Sequence, residues 1–170
     1  RDPGHLPGRQ ATDEAREMND LAVQVAAVLI RRFEGLRLTP YLCPAGVASV
    51  GFGSTRYEDG THVQLTDPPI TRKRAEQLML WSVKNAYLPA VLKLCPGVPD
   101  AYKLAALIDF TFNLGAGRLR VSTLRKRVNA QDWAAVPSEL RKWTRGGGKV
   151  LQGLVARREA EVALVQKVGA

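Results

Sequence analysis

One carboxylate, one thiol and one hydroxyl fall close together between Phe33 and Thr55: Glu34, then Cys43 after eight intervening residues, then Ser49 after five more. An acid that keeps its proton near neutral pH can deliver it to the leaving oxygen of a glycosidic bond. Apolar surroundings favour the protonated carboxyl; Phe33, Leu36 and Leu38 supply them, while the neighbouring cation Arg37 pulls the other way. A Glu at the end of a helix also serves as a surface or capping residue, so the position alone leaves both uses open. Cys43 admits three readings: a thiolate nucleophile, a weak base, or a small buried hydrophobe. Gly51-Phe52-Gly53 lets the backbone approach a sugar closely, but Arg56 stands where a dinucleotide loop needs its third glycine. Trp143 and Val150 likewise rule out a phosphate loop around Gly148-Lys149. The two histidines, His5 and His62, are too few for most metal or triad chemistry, and His62 is expected to be exposed after the Asp59-Gly60 turn. Cys43 and Cys95 have neither the number of a disulfide framework nor the spacing of a zinc site. No metal or organic cofactor is expected.

These groups need elements to hold them. Residues 1–11 are rich in Pro and Gly and are expected to be loose or foreign to the native chain. Thr12-Asp13-Glu14 mark a helix start, and Leu21, Val25, Val28, Leu29 and Phe33 carry helical spacing toward Glu34. From Tyr41 to Asp67, glycines alternate with Val47, Val50, Phe52 and Tyr57, which indicates short strands and tight turns, with Glu58-Asp59-Gly60 as the clearest hairpin corner. So small a sheet must lean on helices. Thr71 can cap a long helix reaching Leu94 and kinked at Pro89; helices over 101–114, 122–129, 132–144 and 151–168 follow, separated by Gly115–Gly117 and Gly146–Gly148. The fold class is α+β and mainly helical. A single domain over 12–170 places a small antiparallel sheet lobe (about 35–70) on a larger helical lobe (about 71–170 plus the N-terminal helix), with a cleft between them.

A chain of 170 residues with 45% hydrophobic and 24% charged residues suits one globular domain. Its longest apolar run, Leu21–Ile30, is too short to span a membrane. The formal charge of +9, with cations clustered at 72–74, 125–127, 141–142 and 157–158, fits solvated helix faces or an anionic partner: nucleic acid, a membrane surface, or an acidic cell wall. No aromatic interleaving or nucleic-acid motif accompanies the clusters, so nucleic acid is not expected. The basic helix over 151–168 keeps contact with an anionic membrane open. Trp81, Trp133 and Trp143 are expected to pack rather than to stack on sugars.

The segment 33–55 closely resembles the active-site region of the phage-type lysozymes, glycoside hydrolase family 24, in which Glu is followed at these spacings by Asp or Cys and then usually by Thr. The resemblance extends through Phe110-Thr-Phe112-Asn113-Leu-Gly115-Ala-Gly117, Ser122-Thr123-Leu124, and the stretch from Arg141 to Glu161, covering about 31–165 in the family's order. It implies a lysozyme-like fold and a peptidoglycan-degrading endolysin that hydrolyses β-1,4 bonds between N-acetylmuramic acid and N-acetylglucosamine, lysing the host cell for phage release. It implies catalytic roles for Glu34 (acid), Cys43 (assisting water) and Ser49 (holding that water in place of Thr, without the rotamer-fixing methyl). Substrate contacts are implied near Gly53, Phe112, Asn113 and Thr123, in a monomer made in the bacterial cytoplasm and acting on the wall. The start at Arg1 rather than Met leaves a removed N-terminal leader open. Some relatives trap the catalytic cysteine in a disulfide with a membrane-tethered segment; within this chain only Cys95 is available, and its place after the long helix argues against such a lock. A lytic transglycosylase remains the nearest alternative reaction.

Overall fold

The structure is a computed structural model that describes residues 7–167. Helix α1 (Pro7–Phe33) begins earlier than the Thr12 cap signal. Pro7 takes the first helical position, where its fixed φ is favourable and its missing N–H would have had no partner. Residues 7–11, expected to be loose, are therefore helical, and residues 1–6 lie outside the described residues. The buried residues of α1 are Ala22, Val23, Ala26, Ala27, Leu29 and Ile30. Of the expected apolar positions Leu29 is buried and Val25 packs against the core, whereas Leu21 and Val28 point to solvent. Packing against α4 (Ala101–Leu114), which contributes Ala101, Ala105 and Ala106 to the same core, brings in the alanines at 22, 26 and 27.

Helix α4 is the central element. Every residue from Leu104 to Thr111 is buried, as expected of a helix covered on all sides. Asp100 caps it by accepting from the backbone N–H of Tyr102 and Lys103. Helices α1, α3 (Leu88–Leu94), α5 (Ala116–Val121) and α8 (Gln152–Gln166) pack around it.

The sheet lobe is small, as expected. Strands β1 (Arg37–Leu42) and β2 (Ala48–Gly51) pair antiparallel, with Tyr41 opposite Ser49 and Leu42 opposite Ala48. The register shifts between Arg37 and Tyr41, where Pro40 has no N–H for a ladder. Bridges Val50–Ser54 and Arg56–His62 extend the lobe, the second closing the Glu58-Asp59-Gly60 corner. Its core of Val50 and Val63 is completed by Leu78 from α2 (Arg72–Ser82). A two-pronged ion pair at 2.6 Å between Arg74 and Glu58 joins the same two units.

The long helix after Thr71 is not one helix with a kink at Pro89. Helix α2 runs into a π-turn over Val83–Tyr87, and α3 follows. Pro89 cannot donate to the carbonyl four residues back and crowds it; the widened turn, closed by the Leu88 N–H on the Val83 carbonyl, takes up that strain. Ala116 and Gly117, expected in the Gly115–Gly117 separator, open α5, which runs to Val121. Helices α6 (Thr123–Asn129) and α7 (Val136–Arg141) follow, α7 being shorter than the expected 132–144. The Gly146–Gly148 break contains a hairpin, β3 (Arg145–Gly146) with β4 (Lys149–Val150), turning on Gly147 and Gly148 at φ +56° and +78°. Among the described residues no helix is long and apolar enough to cross a membrane.

Candidate active site

Glu34 lies directly after α1, its backbone N–H still bonded to the Ile30 carbonyl at 2.8 Å. A carboxylate there meets the negative end of the helix macrodipole, so a cation is needed to balance it. That cation is not Arg37, which stacks over the Tyr41 ring at 4.5 Å. It is Arg157 of α8, whose guanidinium donates to Glu34 Oε1 at 2.5 Å and, through Nε and a terminal nitrogen, to both oxygens of Asp109 at 2.8 Å. Arg157 is 3% exposed and Asp109 is fully buried, whereas the Glu34 side chain is 27% exposed. One face of the carboxyl is thus anchored and another reaches solvent. Burial opposes the charge of Arg157, but its bonds to Asp109 and Glu34 outweigh that cost and push its pKa up.

Beneath this triad Arg158, fully buried, donates to Asn113 Oδ1 at 3.1 Å and to Glu161 Oε1 at 2.6 Å, with its guanidinium 5.2 Å from the Phe110 ring centre. Glu161 is also fully buried, and its pKa is raised well above 4.5 by burial, against the opposing pull of Arg158 and with Asp109 adding to the rise. The 157–158 cluster, expected on a solvated face or against an anionic partner, is internal. Other clustered cations have carboxylate partners too: Arg74 with Glu58, Arg127 with Asp132, Arg141 with Glu159, and Lys142 with Glu139. Asp109 and Arg157 were not among the expected site residues. The only sequence signal for them is a charged residue inside the apolar run of α4 and the placement of Arg157 in the family-like stretch.

Cys43 and Ser49 are brought together by the β1–β2 turn. The Cys43 N–H bonds the Val47 carbonyl at 3.0 Å, and the Gly46 N–H bonds the Cys43 carbonyl at 2.8 Å. The Cys43 thiol is held below its ordinary range by the backbone N–H groups of Val47 and Ala45, with the Ser49 hydroxyl contributing. Ser49 is 1% exposed and donates its proton to the Val47 carbonyl at 3.1 Å. Its one proton is on the turn carbonyl here and turns to the sulfur when the thiol ionises. The Tyr41 phenol, pushed up mainly by burial, also feels the charges of Arg37, Cys43 and Glu34, so it lies in the neighbourhood of both candidate groups. Cys95 is a free, fully buried core thiol whose pKa burial raises to about 11.

The expected substrate-contact residues divide between two adjoining hollows. Asn113 shares one with Glu34, Arg157, Phe33, Leu151 and Leu154. Phe112, its neighbour on α4, lines a second hollow of about 250 Å³ with Gly53, Thr55, Arg56, Trp81 and Tyr87. Tyr87 packs on Phe112 at 4.9 Å between ring centres, and its phenol, raised first by burial, is raised further by the charge of Glu34. Thr123 lines neither hollow, and its hydroxyl donates to Glu139 Oε2. Trp133 and Trp143 pack against the core as expected, Trp143 edge-on to Phe110 at 5.4 Å; Trp81, expected to do the same, is 37% exposed on the hollow. Among the described residues no His, Cys, Asp and Glu cluster could hold a metal ion.

The model of the phage lysozyme family matches residues 31–161, which span the acid, the thiol, the cleft and Arg157. The chain is 34% identical over 144 residues to an endolysin of Acyrthosiphon pisum secondary endosymbiont phage 1, covering 82% of this chain and 93% of that one. Its fold is similar to an endolysin from Escherichia coli O157:H7 phage FAHEc1 (TM-score 0.72, 29% identity, 84% and 90% covered). It is also similar to the muramidase domain of SpmX from Asticaccaulis excentricus (TM-score 0.71, 25% identity, 84% and 95% covered). With Glu34 in a hollow between the ends of α1, α4 and α8 and the family model matched across that whole frame, the chain belongs to the phage lysozyme family.

Proposed function

We propose that Glu34 is the general acid with which this chain hydrolyses the β-1,4 bonds between N-acetylmuramic acid and N-acetylglucosamine in peptidoglycan. The observation that carries the assignment is the half-anchored carboxyl: Arg157, itself fixed by buried Asp109, orients one Glu34 oxygen and leaves the side chain open to the cleft. Glu34 gives its proton to the glycosidic oxygen as the bond to the anomeric carbon breaks. Water adds at that carbon, and the Cys43 thiolate, favoured by the N–H groups of its own turn, takes the water's proton. Ser49 acts one step back, holding the turn and the thiolate, and its remaining oxygen lone pair is available to the water. Gly53 and Phe112 border the glycan strand, and the Asn113 amide N–H₂ is free to bond an N-acetyl group while its oxygen accepts from Arg158. Thr123 contributes through Glu139.

Acid, thiol and cleft come from one chain, so a monomer suffices. The enzyme is made in the host cytoplasm and acts on the wall, to which its net charge of +9 draws it, and the same cations can touch an anionic membrane face. Purified peptidoglycan incubated with the parent and with Glu34→Gln tests the assignment by mass spectrometry of the released fragments. Reducing-end muropeptides from the parent, reduced roughly 10²-fold or more in the variant, are expected. Anhydro fragments would move the reaction to a transglycosylase, and unchanged release by the variant would remove Glu34 from the mechanism.

A further inference from the structure

The hollow beside Phe112 carries residues beyond Gly53 and Phe112 that the catalytic assignment leaves unused. Trp81 and Ser82 from the last turn of α2, and Ala86 and Tyr87 from the π-turn that follows it, form one wall. The facing wall is polar, with Ser54, Thr55 and Arg56 following Gly53. An exposed indole opposite hydroxyls and a guanidinium combines an apolar platform with fixed hydrogen-bonding groups, the pairing that a pyranose ring requires, since its C–H face is apolar and its rim is polar.

The hollow lies beside the catalytic one. Phe112 and Asn113 are consecutive on α4 and line one hollow each, and Tyr87 lies near enough to Glu34 to feel its charge. We propose that Trp81 is a saccharide-binding residue that stacks on a sugar ring of the same glycan strand whose scissile bond lies at Glu34, and so sets how much of the strand the enzyme grips. The proposal rests on the lysozyme reading above. Binding remote from the broken bond, equal in ground and transition states, acts on KM and leaves kcat unchanged.

The test uses the Glu34→Gln protein, which holds substrate without cleaving it, titrated with a tetrasaccharide of alternating N-acetylglucosamine and N-acetylmuramic acid. Trp133 and Trp143 are packed against the core, so a change in tryptophan emission on binding reports Trp81. That change is expected to disappear when Trp81→Phe is added. In the otherwise native enzyme, Trp81→Ala is expected to raise KM on peptidoglycan roughly ten-fold at unchanged kcat, and Trp81→Phe to recover most of the loss, because a phenyl ring keeps a stacking face. A parental KM in Trp81→Ala, or an emission change that survives Trp81→Phe, overturns the proposal. Neither result touches the lysozyme reading, which fails separately if Glu34→Gln still cleaves. Thermal unfolding of both Trp81 variants should match the parent, which separates lost binding from lost fold.

Discussion

Glu161 offers a test of the buried charge network through the pH dependence of stability. Its carboxyl is fully buried, one oxygen accepts from Arg158 at 2.6 Å, and the other has no donor. The Arg158 guanidinium pulls the carboxyl toward ionisation, but burial of the whole side chain and the neighbouring Asp109 carboxyl push the other way. Burial raises the Glu161 pKa well above 4.5, and Asp109 reinforces the rise. In the unfolded chain the group ionises near that ordinary value, so between the two pKa values the native state holds a proton that the unfolded state does not. The stabilisation is therefore complete below about pH 4.5 and is lost as pH rises through the folded value. Glu161→Gln keeps the shape and an N–H in place of the O–H but has no proton to lose. Relative to the parent it should gain up to about 1.4 kcal/mol for each pH unit through that window. For a chain of this size that corresponds to roughly 3–6 °C in Tm per unit. Thermal unfolding of both proteins from pH 4 to 8 at fixed salt reads the difference directly, because all other titrating groups are common to both. A constant gap, or one in which the variant loses ground as pH rises, would show that native Glu161 is ionised and would refute the reasoning.

Two further outcomes follow from local geometry. Iodoacetamide near neutral pH should alkylate Cys43, whose thiolate is favoured by the N–H groups of Val47 and Ala45, and spare Cys95, which is buried with a pKa near 11; peptide mass spectrometry counts the adducts, and equal labelling would contradict the site's electrostatics. Gly51→Ala should cost about 1–3 kcal/mol, because φ is +68° and the new Cβ would meet the Ala75 Cβ at 3.1 Å; Gly35→Ala, with no atom within 4 Å, is the control, and similar Tm values for the two would be the contrary result.

Much of this architecture was legible because it is local. Thr71 accepts a hydrogen bond at a helix start, Gly60 turns its corner, and the Glu34–Cys43–Ser49 spacing is set by one strand, one turn and the next strand. What stayed hidden is set by distant partners. Arginines at 157 and 158 look alike in sequence whether solvated or buried; only α4, 48 residues away through Asp109, makes Arg157 internal. On α1 the burial of Leu29 was legible, but the places of Leu21 and Val28 were not, because close approach to α4 rewards the alanines at 22, 26 and 27 instead. The π-turn left a trace in Pro89, but the widened turn precedes the proline, and so the joint exposure of Trp81 and Tyr87 on one hollow could not be read from helical spacing.

The bond between Glu34 and Arg157 joins residues 123 positions apart. A fragment that contains α1, the sheet lobe and most of the helices still has an acid without its anchor and a bare Asp109 inside its central helix. Contacts near in sequence tend to form before distant ones, which must first offset the entropy of bringing the ends together. Helix content can therefore return while the cleft remains incompetent, and hydrolysis is regained only when α8 docks. A truncated or nicked chain lacking α8 is left with a carboxyl and no catalyst.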